Sequence, residues 1–200
     1  MRSTGITVAL VLVAGLTGTL VYSQGSTPIT PKTRVTGPQS KVGPVKPPST
    51  DAEKITSAMS AAPAAVAAGA AVMDMTSMKT LKAGTNGWTC LPDGPSPGVD
   101  PMCLDKNGME WAGALMAKKD PPAGKMGFGY MLAGGSDASN TDPFATEPKP
   151  GGQWVDTGPH VMVLNIGNSF VGYPTTAANT KVPYVMFPGT PYAHLMLPVK

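Results

Sequence analysis

Proline is the residue that most restricts how this 200-residue chain can fold. Of its 22 prolines, six lie within residues 24–50 and the other sixteen are spread over residues 51–200. Because proline cannot donate a backbone hydrogen bond, it interrupts both helix interiors and central strands. Residues 51–200 therefore predict a single loop-rich globular domain with short elements. Residues 24–50 hold few apolar groups that could stabilise a fold. Their composition therefore predicts a disordered Pro-rich basic linker.

Residues 1–23 have the organisation of a secretory signal peptide. Arg2 supplies a positive charge, and residues 6–20 are uncharged and mostly aliphatic. This apolar run is shorter than the roughly 20 residues that a membrane-spanning helix needs. We therefore expect cleavage after Ser23, no membrane span after that cleavage, and a periplasmic or secreted location.

The chain contains two cysteines, Cys90 and Cys103. An even number of cysteines in an exported protein favours a disulfide, because the compartment is oxidising. Their spacing does not match the CxxC pattern of redox or zinc-binding motifs. The sequence therefore predicts one structural disulfide within residues 51–200.

The net charge of +3 is distributed unevenly along the chain. Residues 51–200 contain ten lysines and twelve acidic residues and are therefore slightly negative. Arg34 is the only arginine beyond the predicted signal peptide. Recognition of phosphates and bases depends strongly on arginine, so we expect no nucleic-acid partner. The basic charges of the linker are Lys32, Arg34, Lys41 and Lys46.

Two helices are predicted in residues 51–200. Thr50 and Glu53 have the spacing of a capping box, and Pro63 ends the apolar pattern that follows. Asn107, with Glu110 three residues later, predicts the start of the second helix.

Apolar segments between turn residues predict the strands. Asn86 and Gly87, a pair typical of tight turns, predict a hairpin between strands at 80–83 and 88–91. The pattern predicts an α+β fold with a small, mostly antiparallel sheet, two helices, many loops and one disulfide. The other predicted strands are 71–75, 126–133, 160–166, 183–187 and 194–199.

Several short runs resemble those of a family of uncharacterised exported bacterial proteins. The resemblance extends over most of residues 51–200 and implies no particular activity, because none is established for that family. The runs are GTNGWTC at 84–90, PMCLD at 101–105, SNTDP at 139–143, GPHVM at 158–162 and PYAHLM at 191–196.

Methionine and histidine form the most unusual chemical pattern. The chain has 13 methionines and only two histidines, and each histidine begins a His-x-Met run. Residues two apart on a strand lie on the same face, so His160 lies beside Met162 and His194 beside Met196. If the two strands pair, these four side chains form a candidate copper site, because thioethers are soft ligands that favour Cu(I). The alternative is ordinary packing of methionine in the core.

The sequence contains no nucleophile elbow, Walker sequence or other catalytic motif. We therefore expect a non-catalytic exported binding protein of unknown ligand, associated with a cell-envelope polymer or a periplasmic protein. Trp154, in a glycine-rich loop, is its candidate ligand-binding residue. One alternative is a periplasmic copper-binding protein that uses the two His-x-Met pairs. A second alternative is a secreted hydrolase with a histidine as general base and a loop aspartate behind it.

That aspartate would come from the long loop before His160. The candidates are Asp137, Asp142 and Asp156. Aspartate beside asparagine, glycine, serine or proline in a loop more often forms a turn through its side chain. The turn interpretation and the catalytic interpretation are both open from the sequence.

Overall fold

The computed structural model describes residues 45–167 and 169–199. Its three helices are α1 (Asp51–Met59), α2 (Ala64–Ala67) and α3 (Lys106–Met116). None of these helices is long and apolar enough to cross a membrane. The predicted signal peptide and most of the predicted linker lie outside the described residues. The strands are β1 (Ala71–Asp74), β2 (Lys79–Lys82), β3 (Thr89–Leu91), β4 (Met102–Leu104), β5 (Gly127–Met131), β6 (Ser136–Asp137), β7 (Val155–Asp156), β8 (His160–Leu164), β9 (Tyr184–Met186) and β10 (His194–Pro198).

The prediction of a small α+β fold with two helices is wrong, because the structure is dominated by its sheet. Eight strands form one mixed sheet in the order β2-β1-β3-β4-β5-β8-β10-β9, and β6 pairs with β7 separately. The pair of β1 and β3 is parallel, whereas the other strand pairs are antiparallel. Strands of two or three residues, such as β4 and β7, are too short to show an alternating pattern in the sequence.

The predicted hairpin around Asn86 and Gly87 is also wrong. Strands β2 and β3 do not pair, because β1 lies between them. The connecting loop instead packs against the start of β1, where the Ala71 N–H donates to the Trp88 carbonyl over 2.9 Å. The preference of Asn-Gly for a tight turn is local and weak, so the pairing of β1 with both strands overrides it.

The starts of the two longer helices differ in how well they were predicted. The capping box of α1 is confirmed, because Glu53 N–H donates to Thr50 Oγ1 and Thr50 N–H donates to the Glu53 carboxylate. Helix α3 is capped by Asp105 rather than Asn107, through a 2.7 Å bond from the Gly108 N–H. The Asn107 amide donates to the Met126 carbonyl instead.

The sheet separates two apolar clusters, one on each face. On one face, the alanines of α1 and α2 pack over β1, β3 and β4, where Cys90 and Cys103 are fully buried. The predicted Cys90–Cys103 disulfide is confirmed and joins directly opposite positions of β3 and β4. On the other face, α3 covers a cluster rich in methionine and aromatic side chains from β5, β8, β9 and β10. This second face holds both histidines.

Candidate functional site

A cavity of about 750 Å³ lies between α3 and the second face of the sheet. Both histidines and ten of the 13 methionines are among the residues that line it. These methionines come from β1, β4, β5, β8, β9, β10, α3 and the turn after β1. The sequence predicted two His-Met pairs, but the gathering of methionines from eight parts of the chain depends on the fold.

Strands β8 and β10, which carry the two His-x-Met runs, are antiparallel neighbours. The pairing on which the copper hypothesis depended is therefore present. Met196 lies directly opposite Met162, whereas His194 lies opposite Leu164 and His160 lies opposite Pro198. All four predicted residues share one face, with the methionines at the centre and the histidines at opposite ends. The metal assignment itself stays a prediction.

His160 is almost fully buried at the start of β8, with 1% of its surface exposed. Its Nδ1 lies 2.7 Å from the Gly158 carbonyl oxygen, which can only accept, so Nδ1 carries the proton. Burial lowers the pKa of His160, and the Gly158 hydrogen bond opposes this only in part. The neutral ring therefore leaves a lone pair on Nε2, which is buried and has no hydrogen-bond partner among the described residues.

His194, at the start of β10, makes the same kind of hydrogen bond to the carbonyl two residues before it. Its Nδ1 donates to the Tyr192 carbonyl over 3.0 Å. Its ring is steeply inclined to two aromatic rings, with its centre 5.2 Å from that of Trp111 and 5.5 Å from that of Phe187. Burial lowers the pKa of His194 to about 4, so this imidazole is also neutral near pH 7.

One end of the cavity is polar. Asp100 accepts a 2.5 Å hydrogen bond from the Ser136 N–H, and the neighbouring Asp137 also lines the cavity. Burial raises the pKa of Asp137 to about 6, against the opposing hydrogen bond from the Ser139 N–H. Thr157 Oγ1 is buried here and has no partner in the described part of the chain. The sequence did not single out Asp100 or Thr157, since both lie in turn-rich segments where such residues are common.

The three loop aspartates act as turn formers. Asp137, Asp142 and Asp156 each accept a hydrogen bond from the backbone N–H two residues later. The turn interpretation is therefore confirmed, and both histidines direct Nδ1 to a backbone carbonyl rather than to a carboxylate. A histidine base oriented by one of these aspartates has no geometric support in this arrangement.

Trp154, the candidate ligand-binding residue, is half-buried just before β7. It does not belong to the described lining of the methionine-rich cavity. It lies between a glycine-rich turn and β7, and its binding role stays a prediction.

The raised pKa of Asp137 predicts a specific pH dependence of stability. Between about pH 4 and pH 6 the folded protein keeps a proton that the unfolded chain has released. The contribution of Asp137 to stability should therefore fall as the pH rises through this window and change little above it. The two histidines, whose pKa values are lowered, act in the opposite direction over the same range, so the comparison with an Asp137 variant isolates this contribution. We expect Asp137→Asn, which keeps an acceptor for the Ser139 N–H, to be more stable than the wild type by about 3 kcal/mol at pH 7. At pH 3.5 the two proteins should unfold at similar urea concentrations, and a constant difference at both pH values would contradict the assignment.

In the described residues, no three side chains of histidine, cysteine, aspartate and glutamate converge as a metal-binding group. The donors that do converge around the histidines are thioethers.

The resemblance to a family of exported bacterial proteins stays a prediction. No family model, curated protein or solved structure matches this chain.

Proposed function

We propose that this protein is an exported, non-catalytic binding protein that holds Cu(I) in the cavity between α3 and the sheet. One observation carries the proposal: both imidazoles and ten thioethers of the chain line the same cavity. Methionine usually serves to fill gaps in a protein core. Packing alone would not explain why two buried histidines lie among these sulfur atoms. Thioether and imidazole together are a donor set that favours Cu(I) over the harder ions Mg²⁺ and Ca²⁺.

The hydrogen bonds of the histidines support this choice. Histidines that bind metals usually donate their second ring N–H to a carbonyl or carboxylate, which fixes the tautomer and the ring orientation. His160 and His194 both have this arrangement, with a backbone carbonyl as the acceptor. Because burial keeps both rings neutral, neither has to lose a proton before it binds an ion near pH 7.

The sulfur chemistry also fits an oxidising compartment. Among the described residues no cysteine is free, because Cys90 and Cys103 are bonded to each other. Thioethers cannot form disulfides, so they supply soft sulfur ligands where thiols would be oxidised. This argument links the copper proposal to the predicted export. A partner in the cell envelope stays part of the proposal and rests on the predicted basic linker.

Competition with a chromogenic Cu(I) chelator under anaerobic conditions tests the proposed function. We expect the purified protein to withdraw Cu(I) from the chelator, and Zn²⁺ in tenfold excess to leave that binding unchanged. The double variant His160→Ala/His194→Ala should bind Cu(I) roughly 100-fold more weakly or not at all, because it has lost both nitrogen ligands.

The matched control is Met59→Leu/Met126→Leu, which changes two methionines that do not belong to the described lining of the cavity. It should compete as well as the wild type. Circular dichroism must show that the histidine variant is folded. A folded wild-type protein that fails to compete for Cu(I) would refute the proposal.

A further inference from the structure

We propose that the cavity contains two separate Cu(I) sites, each formed by one histidine and two methionines. This inference rests on the proposed function and adds the number of ions and two ligands, Met131 and Met186, that the His-x-Met pattern does not contain. The first site is His160 with Met131 and Met162. The second is His194 with Met186 and Met196.

The first set is defined by the register of β5 and β8. His160 on β8 lies directly opposite Met131 on β5. Side chains at directly opposite positions have Cβ atoms about 4.5–5.5 Å apart, which allows an imidazole and a thioether to share one ion. Met162 lies two residues further along β8 on the same face. All three side chains are buried and line the cavity.

The second set repeats this arrangement on the same face of the sheet, with β10 and β9 in place of β8 and β5. His194 on β10 lies directly opposite Met186 on β9. Met196 lies two residues further along β10, on the face that lines the cavity. The ring of Trp111 adds an aromatic wall 5.2 Å from the His194 ring.

The two sites lie apart because the two histidine rings point in opposite directions. Each histidine bonds to the carbonyl two residues before it, which draws the ring toward the start of its own strand. Since β8 and β10 are antiparallel, their starts lie at opposite ends of the pair. The register offsets the backbone positions of the two histidines by four residues, or about 13 Å along the strands. Both rings could bind a single ion only if they broke these hydrogen bonds and turned toward each other.

Size and charge allow two ions at this separation. A cavity of about 750 Å³ is large for one metal ion bound by three side chains. Two unit charges about 13 Å apart at an effective dielectric constant of 20 repel each other enough to weaken the second ion only about tenfold. The carboxyl groups of Asp100 and Asp137 line the same cavity and can offset part of the added charge.

Stoichiometric Cu(I) titration of the purified protein against the same chelator tests this inference. We expect the wild type to bind two equivalents. The variant Met131→Leu/Met162→Leu should lose one equivalent, and Met186→Leu/Met196→Leu should lose the other. Leucine is close to methionine in volume, so both variants should keep the fold, which circular dichroism checks. Only the second variant should lose the Cu(I)-dependent change in Trp111 fluorescence, measured against Trp111→Phe.

The matched control is Met109→Leu/Met116→Leu, which alters two cavity-lining methionines of α3 that belong to neither set. It should still bind two equivalents. A single equivalent in the wild type that both paired variants abolish would overturn the two-site inference and leave the proposed function standing. No Cu(I) bound by the folded wild type would refute both. Two equivalents that survive in both paired variants would show that other ligands hold the ions and would also overturn the inference.

Discussion

Replacing both cysteines with alanine is expected to lower the free energy of unfolding by roughly 2–5 kcal/mol. The disulfide joins directly opposite residues of β3 and β4, which lie in the interior of the eight-stranded sheet. Cys90 and Cys103 are fully buried beneath α1. Without the bond, the unfolded chain gains the conformational entropy of a loop closed over a separation of 13 residues. Urea unfolding of wild type and Cys90→Ala/Cys103→Ala measures the difference.

The control is the wild-type protein unfolded and refolded in the presence of a strong reductant. It should approach the stability of the alanine variant, because both then lack the cross-link. If the oxidised wild type and the alanine variant unfold at the same urea concentration, the disulfide contributes nothing to the stability of this fold. Mass spectrometry of non-reduced peptides checks that Cys90 and Cys103 are linked before the comparison.

Gly127→Ala is expected to destabilise the protein by about 1–3 kcal/mol. Strand β5 passes so close to the start of α3 that an added Cβ at Gly127 would lie 2.5 Å from the backbone nitrogen of Gly108. Because the obstacle is backbone, the helix or the strand must move to relieve the overlap. Helix α3 forms one wall of the cavity, so the same change should also weaken Cu(I) binding. Thermal unfolding and the chelator competition measure the two effects.

Gly113→Ala is the matched control, since Gly113 lies in α3 and an added Cβ there meets no atom within 4 Å. Alanine has a higher helix propensity than glycine, so this variant should gain up to about 1 kcal/mol of stability. The two substitutions add the same methyl group and should act with opposite signs. Equal changes in stability from Gly127→Ala and Gly113→Ala would show that β5 and α3 are not tightly packed against each other.

The short-range features of the fold were largely predictable from the sequence. The capping box at Thr50 and Glu53 forms as predicted, because its hydrogen bonds join residues three apart. Strands β1, β5, β8, β9 and β10 lie within the predicted segments. Strand β4 was missed because its three residues follow a proline-rich loop and carry no visible alternation.

The candidate site was predictable only in part. The period of two along a strand placed each histidine beside a methionine, and the structure has both pairs on the face that lines the cavity. The sequence pattern did not indicate Met131 or Met186 as ligands, because their positions opposite His160 and His194 depend on strand register. Register is set by contacts between segments that are distant in the chain, and no local pattern specifies it for such short strands.

The sequence by itself determined the features that depend on neighbouring residues or on residue type. These are the cap of α1, the position of each histidine and its methionine on one face of a strand, and the pairing of the only two cysteines. Only the tertiary structure decided that β1 separates β2 from β3, and that the two histidines lie at opposite ends of paired strands. The physical reason is that these arrangements bury apolar surface through long-range contacts. Their energies outweigh the preferences of a single turn or strand.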